Sequence, residues 1–128
     1  MKARHESGRA SRYQAPRETY LLAWRWRRAV EAELRPLGLT FTQWLVLEAT
    51  WHQVREHGDA VTQNLVAERT ELDRTTTSQV MRTLDKRGLV ERGPDSVGPG
   101  YRILLSSTGK RLVQQANARI DALPQPRD

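Results

Sequence analysis

A mainly α fold carrying one small β-hairpin is predicted by three observations in this 128-residue chain. Apolar side chains recur at helical spacing through most of residues 18–86 and again from about Thr108 to Leu123. Between those stretches the pattern changes to two short runs, Leu89–Arg92 and Tyr101–Leu105, joined by the Gly- and Pro-rich segment 93–100. Within the first stretch, two short amphipathic helices, Thr62–Arg69 and Arg74–Lys86, are separated by about four residues, Thr70 to Asp73. Two short helices across a tight turn, then a strand, a flexible tip and a return strand, make a winged helix-turn-helix.

Each element follows from its residues. Residues 1–16 are rich in Arg, Ser and Gly and nearly free of large apolar groups, so a disordered basic arm is expected there. Its arginines suit a polyanion or simply solubilise the chain, and no patterned motif decides between the two. Pro16 and Thr19 mark the approach to a first long helix, Glu18–Leu34, which stops near Pro36 and Gly38. Thr40 followed by Gln43 fits a capping box for the second helix. Its wide apolar face, from Phe41, Trp44, Leu45 and Leu47 to Trp51 and Val54, ends by His57-Gly58. Thr62 is placed to cap the third helix, where Leu65, Val66 and Arg69 are spaced for one face, and Asp73 is placed to accept hydrogen bonds from the backbone of the fourth. Gly88 supplies the left-handed residue that ends it. Residues 17–123 then form one domain, and 124–128 a tail.

The fourth helix sorts its residues into chemically opposite faces. Thr77, Val80, Met81 and Leu84 fall on one stripe, at spacings of three and four, and should face the core. Thr75, Ser78, Gln79, Arg82 and Lys86 occupy the other, with Asp85 on the flank. Hydroxyl, amide, guanidinium and ammonium groups hydrogen-bond to base edges and phosphates, and the stripe has no carboxylate to repel them. Any soluble amphipathic helix has a polar outer face; the preceding short helix and the following wing are what turn this one toward a major groove.

Charge is segregated along the chain. Residues 1–28 carry +6, residues 29–73 carry −5, and residues 74–111, the fourth helix and wing, carry +5, within a total of +6. A cationic face supplies the sequence-independent attraction that nucleic acid requires. There are no cysteines, so disulfides and thiolate metal sites are excluded. His5, His52 and His57 have no metal-ligand spacing, so no metal and no cofactor are expected. No run approaches a membrane span and no apolar block marks a secretory signal, so cytoplasmic residence is expected. Catalysis is not expected either: the chain lacks a phosphate-binding loop, a His-Glu-x-x-His and a nucleophile elbow, and Glu31 and Glu33 diverge on their helix.

Several ordered motifs resemble the multiple-antibiotic-resistance regulator (MarR) family. They are Leu39-Thr40-x-x-Gln43-Trp44-x-Val46-Leu47, then Val61-Thr62-Gln63 with Leu65 and Ala67, then Thr75-Thr76-x-Ser78 with Leu84, and Lys86-Arg87-Gly88-Leu89-Val90-Glu91-Arg92. The likeness spans roughly Thr19 to Leu123. It implies a homodimeric transcription factor, usually a repressor, that binds double-stranded DNA at a pseudo-palindromic operator and is often released by a small aromatic ligand. On that reading Thr75, Thr76, Ser78, Gln79 and Arg82 contact bases or nearby phosphates. Lys86 holds phosphate, and Thr62 and Gln63 steady the backbone from the preceding helix. The family's effector cleft lies beside the dimerisation helices, which makes Tyr20, Trp24, Trp26, Trp44 and Trp51 candidate ligand contacts; core and dimer-interface packing is the competing account of the same aromatics.

Two departures from the family pattern stand out. The wing usually carries Asp-x-Arg, whereas here Asp95 is followed two residues later by Val97, leaving Arg102 at the strand base as the candidate substitute. Only nineteen residues follow Gly109, room for one helix where the family adds a further one that locks the dimer. Both departures favour the alternative function, a winged-helix module for protein contact or sequence-independent chromosome binding.

Overall fold

The computed structural model describes residues 11–95 and 98–126. Its elements run α1 (Gln14–Leu34), a 3₁₀ turn (Arg35–Leu37), α2 (Phe41–His57), α3 (Gln63–Thr70), α4 (Arg74–Lys86), β1 (Val90–Pro94), β2 (Tyr101–Leu105) and α5 (Ser107–Asp121). This is the mainly helical chain with a small antiparallel hairpin that the periodicities predict.

Boundaries follow the local chemistry closely where a polar cap is present. Thr40 and Gln43 close a reciprocal capping box on α2, with each backbone N–H held by the other's side chain at 3.0 and 3.1 Å. The Thr62 hydroxyl accepts from Leu65 N at 3.2 Å at the start of α3, and Ser106 accepts from Gly109 N at 3.0 Å at the start of α5. Gly88, at φ 73°, turns the chain out of α4 as its type requires.

Four expectations shift. Helix α1 starts at Gln14, four residues before the expected Glu18, and Pro16 lies within its first turn. Proline is tolerated there because first-turn N–H groups have no intrahelical acceptor. The predicted disordered arm therefore loses its last three residues to helix, and residues 1–10 of it lie outside the described residues. On α3 the buried residues are Val66 and Ala67, while Arg69, expected to share the inner face, is exposed. Thr70 belongs to α3, its hydroxyl donating to Val66 O at 3.0 Å, so the turn is Glu71, Leu72 and Asp73, with Glu71 left-handed at φ 59°. Strand β1 continues through Gly93 and Pro94, which pair with Arg102 and Tyr101, so the tip is residues 95–100 rather than 93–100. A proline at the end of a two-stranded ladder costs no interior hydrogen bond.

One core joins all the elements. Val30 and Leu34 of α1, Val46 and Leu47 of α2, Val66 of α3, Met81 and Leu84 of α4, Ile103 of β2 and Val113 of α5 are fully buried. Ile103 N donates to Val61 O at 3.0 Å, and Thr62 pairs with Arg102 across an isolated bridge, so the hairpin is tied to the start of α3. Among the described residues, Tyr20 and Trp24 in the first half of α1 and Tyr13 at its N-cap are exposed.

Candidate nucleic-acid interface

Helix α4 is fixed from its inner side. Thr77, Met81 and Leu84 are completely buried, with Val80 partly so. Asp73 accepts from Thr76 N at 2.6 Å and from the Thr76 hydroxyl at 3.0 Å, bonds that hold its carboxyl below the usual carboxylate range. These anchors leave Thr75, Gln79, Arg82 and Lys86 exposed along the opposite stripe. Among the described residues Arg74, Arg82 and Lys86 form no ion pair, so their charges face solvent.

A cleft of about 490 Å³ lies between α4, the first turn of α3 and the hairpin. Gln63, Thr75, Ser78 and Arg82 of the predicted set line it, together with Asn64, Arg74 and Tyr101. Gln79 and Lys86 stand exposed on the same helix. Two other predicted contacts are already engaged: the Thr76 hydroxyl donates to Asp73, and the Thr62 hydroxyl serves as the α3 cap.

Arg102 is not brought to this cleft. Successive strand residues point to opposite faces, and Tyr101 takes the side facing α4. Arg102 lines the cavity on the other side with His57, Asp59 and Thr62, and its Nε donates to Asp59 O at 3.2 Å. The hairpin arginine that meets residues lining the cleft is Arg92. Its Nε donates to Gln63 Oε1 at 2.9 Å, its Nη2 donates to Ser78 Oγ at 3.3 Å, and its Cζ lies 3.4 Å from the Tyr101 ring centroid. The available signal was its place two residues after Val90, an inward strand position where a cation needs partners.

The candidate ligand aromatics do not converge. Trp26, Phe41 and Trp44 form one aromatic cluster with centroids 5.7–6.2 Å apart, Trp26 edge-on to the other two, and Trp44 Nε1 donates to Asn117 Oδ1 at 2.8 Å. Trp44 is thereby a satisfied core residue. Trp51 packs against the core beneath Arg55 and Lys110, both 5.4 Å from its ring. Tyr20 and Trp24 lie on the open side of α1. Trp26 borders a cleft of about 240 Å³ shared with Leu22, Arg25, Leu123 and Pro124. Among the described residues there is no His, Asp and Glu cluster fit for a metal ion and no helix long and apolar enough to cross a membrane.

Comparison with known proteins agrees with this geometry. The MarR family model matches residues 37–98. The uncharacterized HTH-type transcriptional regulator YdcH of Bacillus subtilis (strain 168) is 34% identical over 67 residues, covering 52% of this chain and 45% of the relative, so the match spans under half of that protein. A MarR-family transcriptional regulator from Rhodococcus sp. RHA1 is similar at 30% identity and TM-score 0.72 over 88% of this chain and 79% of the solved one. CouR from Rhodococcus jostii RHA1, solved with p-coumaroyl-CoA bound, is similar at 28% identity and TM-score 0.72, over 85% and 74% respectively. With the helix-turn-helix, the hairpin and the flanking helices all in the family's arrangement, the chain belongs to the MarR family of winged-helix transcriptional regulators.

Proposed function

We propose that this protein is a cytoplasmic DNA-binding repressor that acts as a homodimer on a pseudo-palindromic operator, with one copy of α4 in each of two successive major grooves. The observation that carries the reading is the outer stripe of α4: Thr75, Gln79, Arg82 and Lys86 face solvent while Thr77, Met81 and Leu84 lock the helix from behind. Thr75, Gln79 and Arg82 read bases, Ser78 and Thr76 support nearby contacts, Lys86 holds phosphate, and Thr62 and Gln63 steady the backbone. Tyr13, Tyr20 and Trp24 supply the apolar surface for the second subunit. Catalysis has no part in the mechanism.

A small aromatic effector is the proposed release signal, entering beside Trp26 and Arg25. CouR, similar in fold and 28% identical, holds an aromatic acyl thioester, which supports that ligand class.

Selection from a randomised duplex pool tests the reading. An inverted repeat should be enriched, and at physiological salt the protein should prefer it over a scrambled duplex by about 10³-fold or more. The withdrawn position of Arg102 favours one competitor, sequence-independent binding, for which that ratio would be close to one.

A further inference from the structure

We infer that Arg92 is a positioning residue that sets the hydrogen-bond polarity of the interface, holding Gln63 and Ser78 so that both present donors to the DNA backbone. The inference rests on the DNA-binding reading above and assigns a role to a side chain outside the α4 stripe. A guanidinium carries five N–H donors and no acceptor. Because Arg92 Nε donates to Gln63 Oε1 at 2.9 Å, the amide oxygen is committed inward and the amide NH₂ group is turned the other way. Because Arg92 Nη2 donates to Ser78 Oγ at 3.3 Å, the hydroxyl accepts on its inner side and keeps its own proton to give. Both residues line the cleft that also holds Arg74 and Arg82. Amide and hydroxyl donors set beside two guanidinium groups are the complement of phosphodiester oxygens.

The hairpin register explains why Arg92 can do this. Arg92 stands opposite Ile103, and Tyr101 is its diagonal neighbour, within reach of a long side chain. The guanidinium carbon lies over the Tyr101 ring, 3.4 Å from its centroid, while Nε and Nη2 reach α3 and α4. Lysine keeps the charge but has neither the plane nor the fork. Arg92 therefore links β1, β2, α3 and α4 at one point, and its effect on DNA runs through Gln63 and Ser78.

The test titrates the full-length protein against the duplex that the unaltered protein selects from a randomised pool, at several salt concentrations, with a thermal melt of each variant as folding control. Arg92→Lys should weaken binding about tenfold, the equivalent of roughly one charge-assisted hydrogen bond, with the salt slope unchanged because the charge is kept. In a Gln63→Ala/Ser78→Ala background the same substitution should change affinity by less than about twofold, since nothing remains to be positioned. Tyr101→Phe keeps the ring against Arg92 and Tyr101→Leu removes it, so the Leu variant should bind about threefold or more weaker than the Phe variant, again with the slope unchanged. The inference is overturned if Arg92→Lys binds normally, or if its full loss persists in the double-alanine background, because Arg92 would then touch DNA itself. Should Arg92→Lys fail to fold, the Tyr101 pair decides: equal binding by the Phe and Leu variants overturns the inference. A pool that enriches no duplex overturns the operator reading on which this inference rests; an enriched site indifferent to Arg92→Lys overturns this inference alone.

Discussion

Gly109→Ala separates two opposite expectations for stability. Gly109 is the third residue of α5 and has ordinary helical geometry, so intrinsic propensity favours alanine by about 1 kcal/mol. Packing opposes it. A Cβ built at Gly109 would lie 2.0 Å from Leu89 O and 2.9 Å from Leu89 C, so α5 and the start of β1 must separate by more than about 1 Å to reach ordinary van der Waals contact. Leu89 O cannot retreat freely, because it accepts from Ser106 N at 3.1 Å and from the Ser106 hydroxyl at 3.0 Å, while that hydroxyl also lies 2.6 Å from Gly88 O.

A shift of that size breaks the two Leu89 bonds, at about 1 kcal/mol each, and displaces Val113 and Ala116 from the core at an overpacking cost of about 1–3 kcal/mol. After subtracting the propensity gain, Gly109→Ala should destabilise by about 2–4 kcal/mol, a fall of roughly 8–15 °C in melting temperature for a chain of this size. Urea and thermal unfolding at matched protein concentration measure it, since the midpoint of the proposed dimer depends on concentration. A variant that melts at or above the parent would mean that α5 and β1 do not approach as described.

Three further outcomes are expected. Arg82→Ala should weaken binding to the selected duplex by about 1–3 kcal/mol and relax preference at one base pair, whereas Lys86→Ala should weaken all duplexes alike and lower the salt slope by about one; competition titrations on matched and scrambled DNA distinguish them. Glu71→Gly should raise stability by up to about 1 kcal/mol in denaturant melts, because Glu71 is left-handed at φ 59° and glycine removes that strain at some entropic cost. Asp73 has a folded pKa below its unfolded value, through the Thr76 backbone and then the Thr76 hydroxyl. Its stabilising contribution is therefore present above the unfolded value, near 3.9, and is lost as pH falls through the lower folded value. Asp73→Asn should lose that component of the acid sensitivity of the melting temperature.

What the sequence made legible was whatever short-range chemistry decides. The α4 limits, the Thr40–Gln43 box and the Thr62 and Asp73 caps involve partners no more than three residues apart, and all are found as read. Long-range partners were hidden. Trp44 is a core residue because of Asn117, 73 positions away, and Arg92 meets Gln63 and Ser78 across 29 and 14 positions. Residue type alone gives these aromatics and arginines no address, so the sequence leaves Trp44 between ligand contact and core packing and makes Arg102 the candidate for the wing contact.

The exchange of roles between the two hairpin arginines has one cause. A strand's side chains alternate with period two, so sequence shows that Tyr101 and Arg102 face opposite ways but not which of them faces α4. That choice is made outside the hairpin, where Ile103 N donates to Val61 O and Thr62 pairs with Arg102. A one-residue slip of β2 against Val61 that put Arg102 over the cleft would remove Tyr101 from beneath Arg92 and set Leu104 and Ser106 where Ile103 and Leu105 now stand. The Ile103–Val61 bond and the Thr62–Arg102 bridge hold the register, so contacts made outside the hairpin determine which arginine meets the residues lining the candidate DNA cleft.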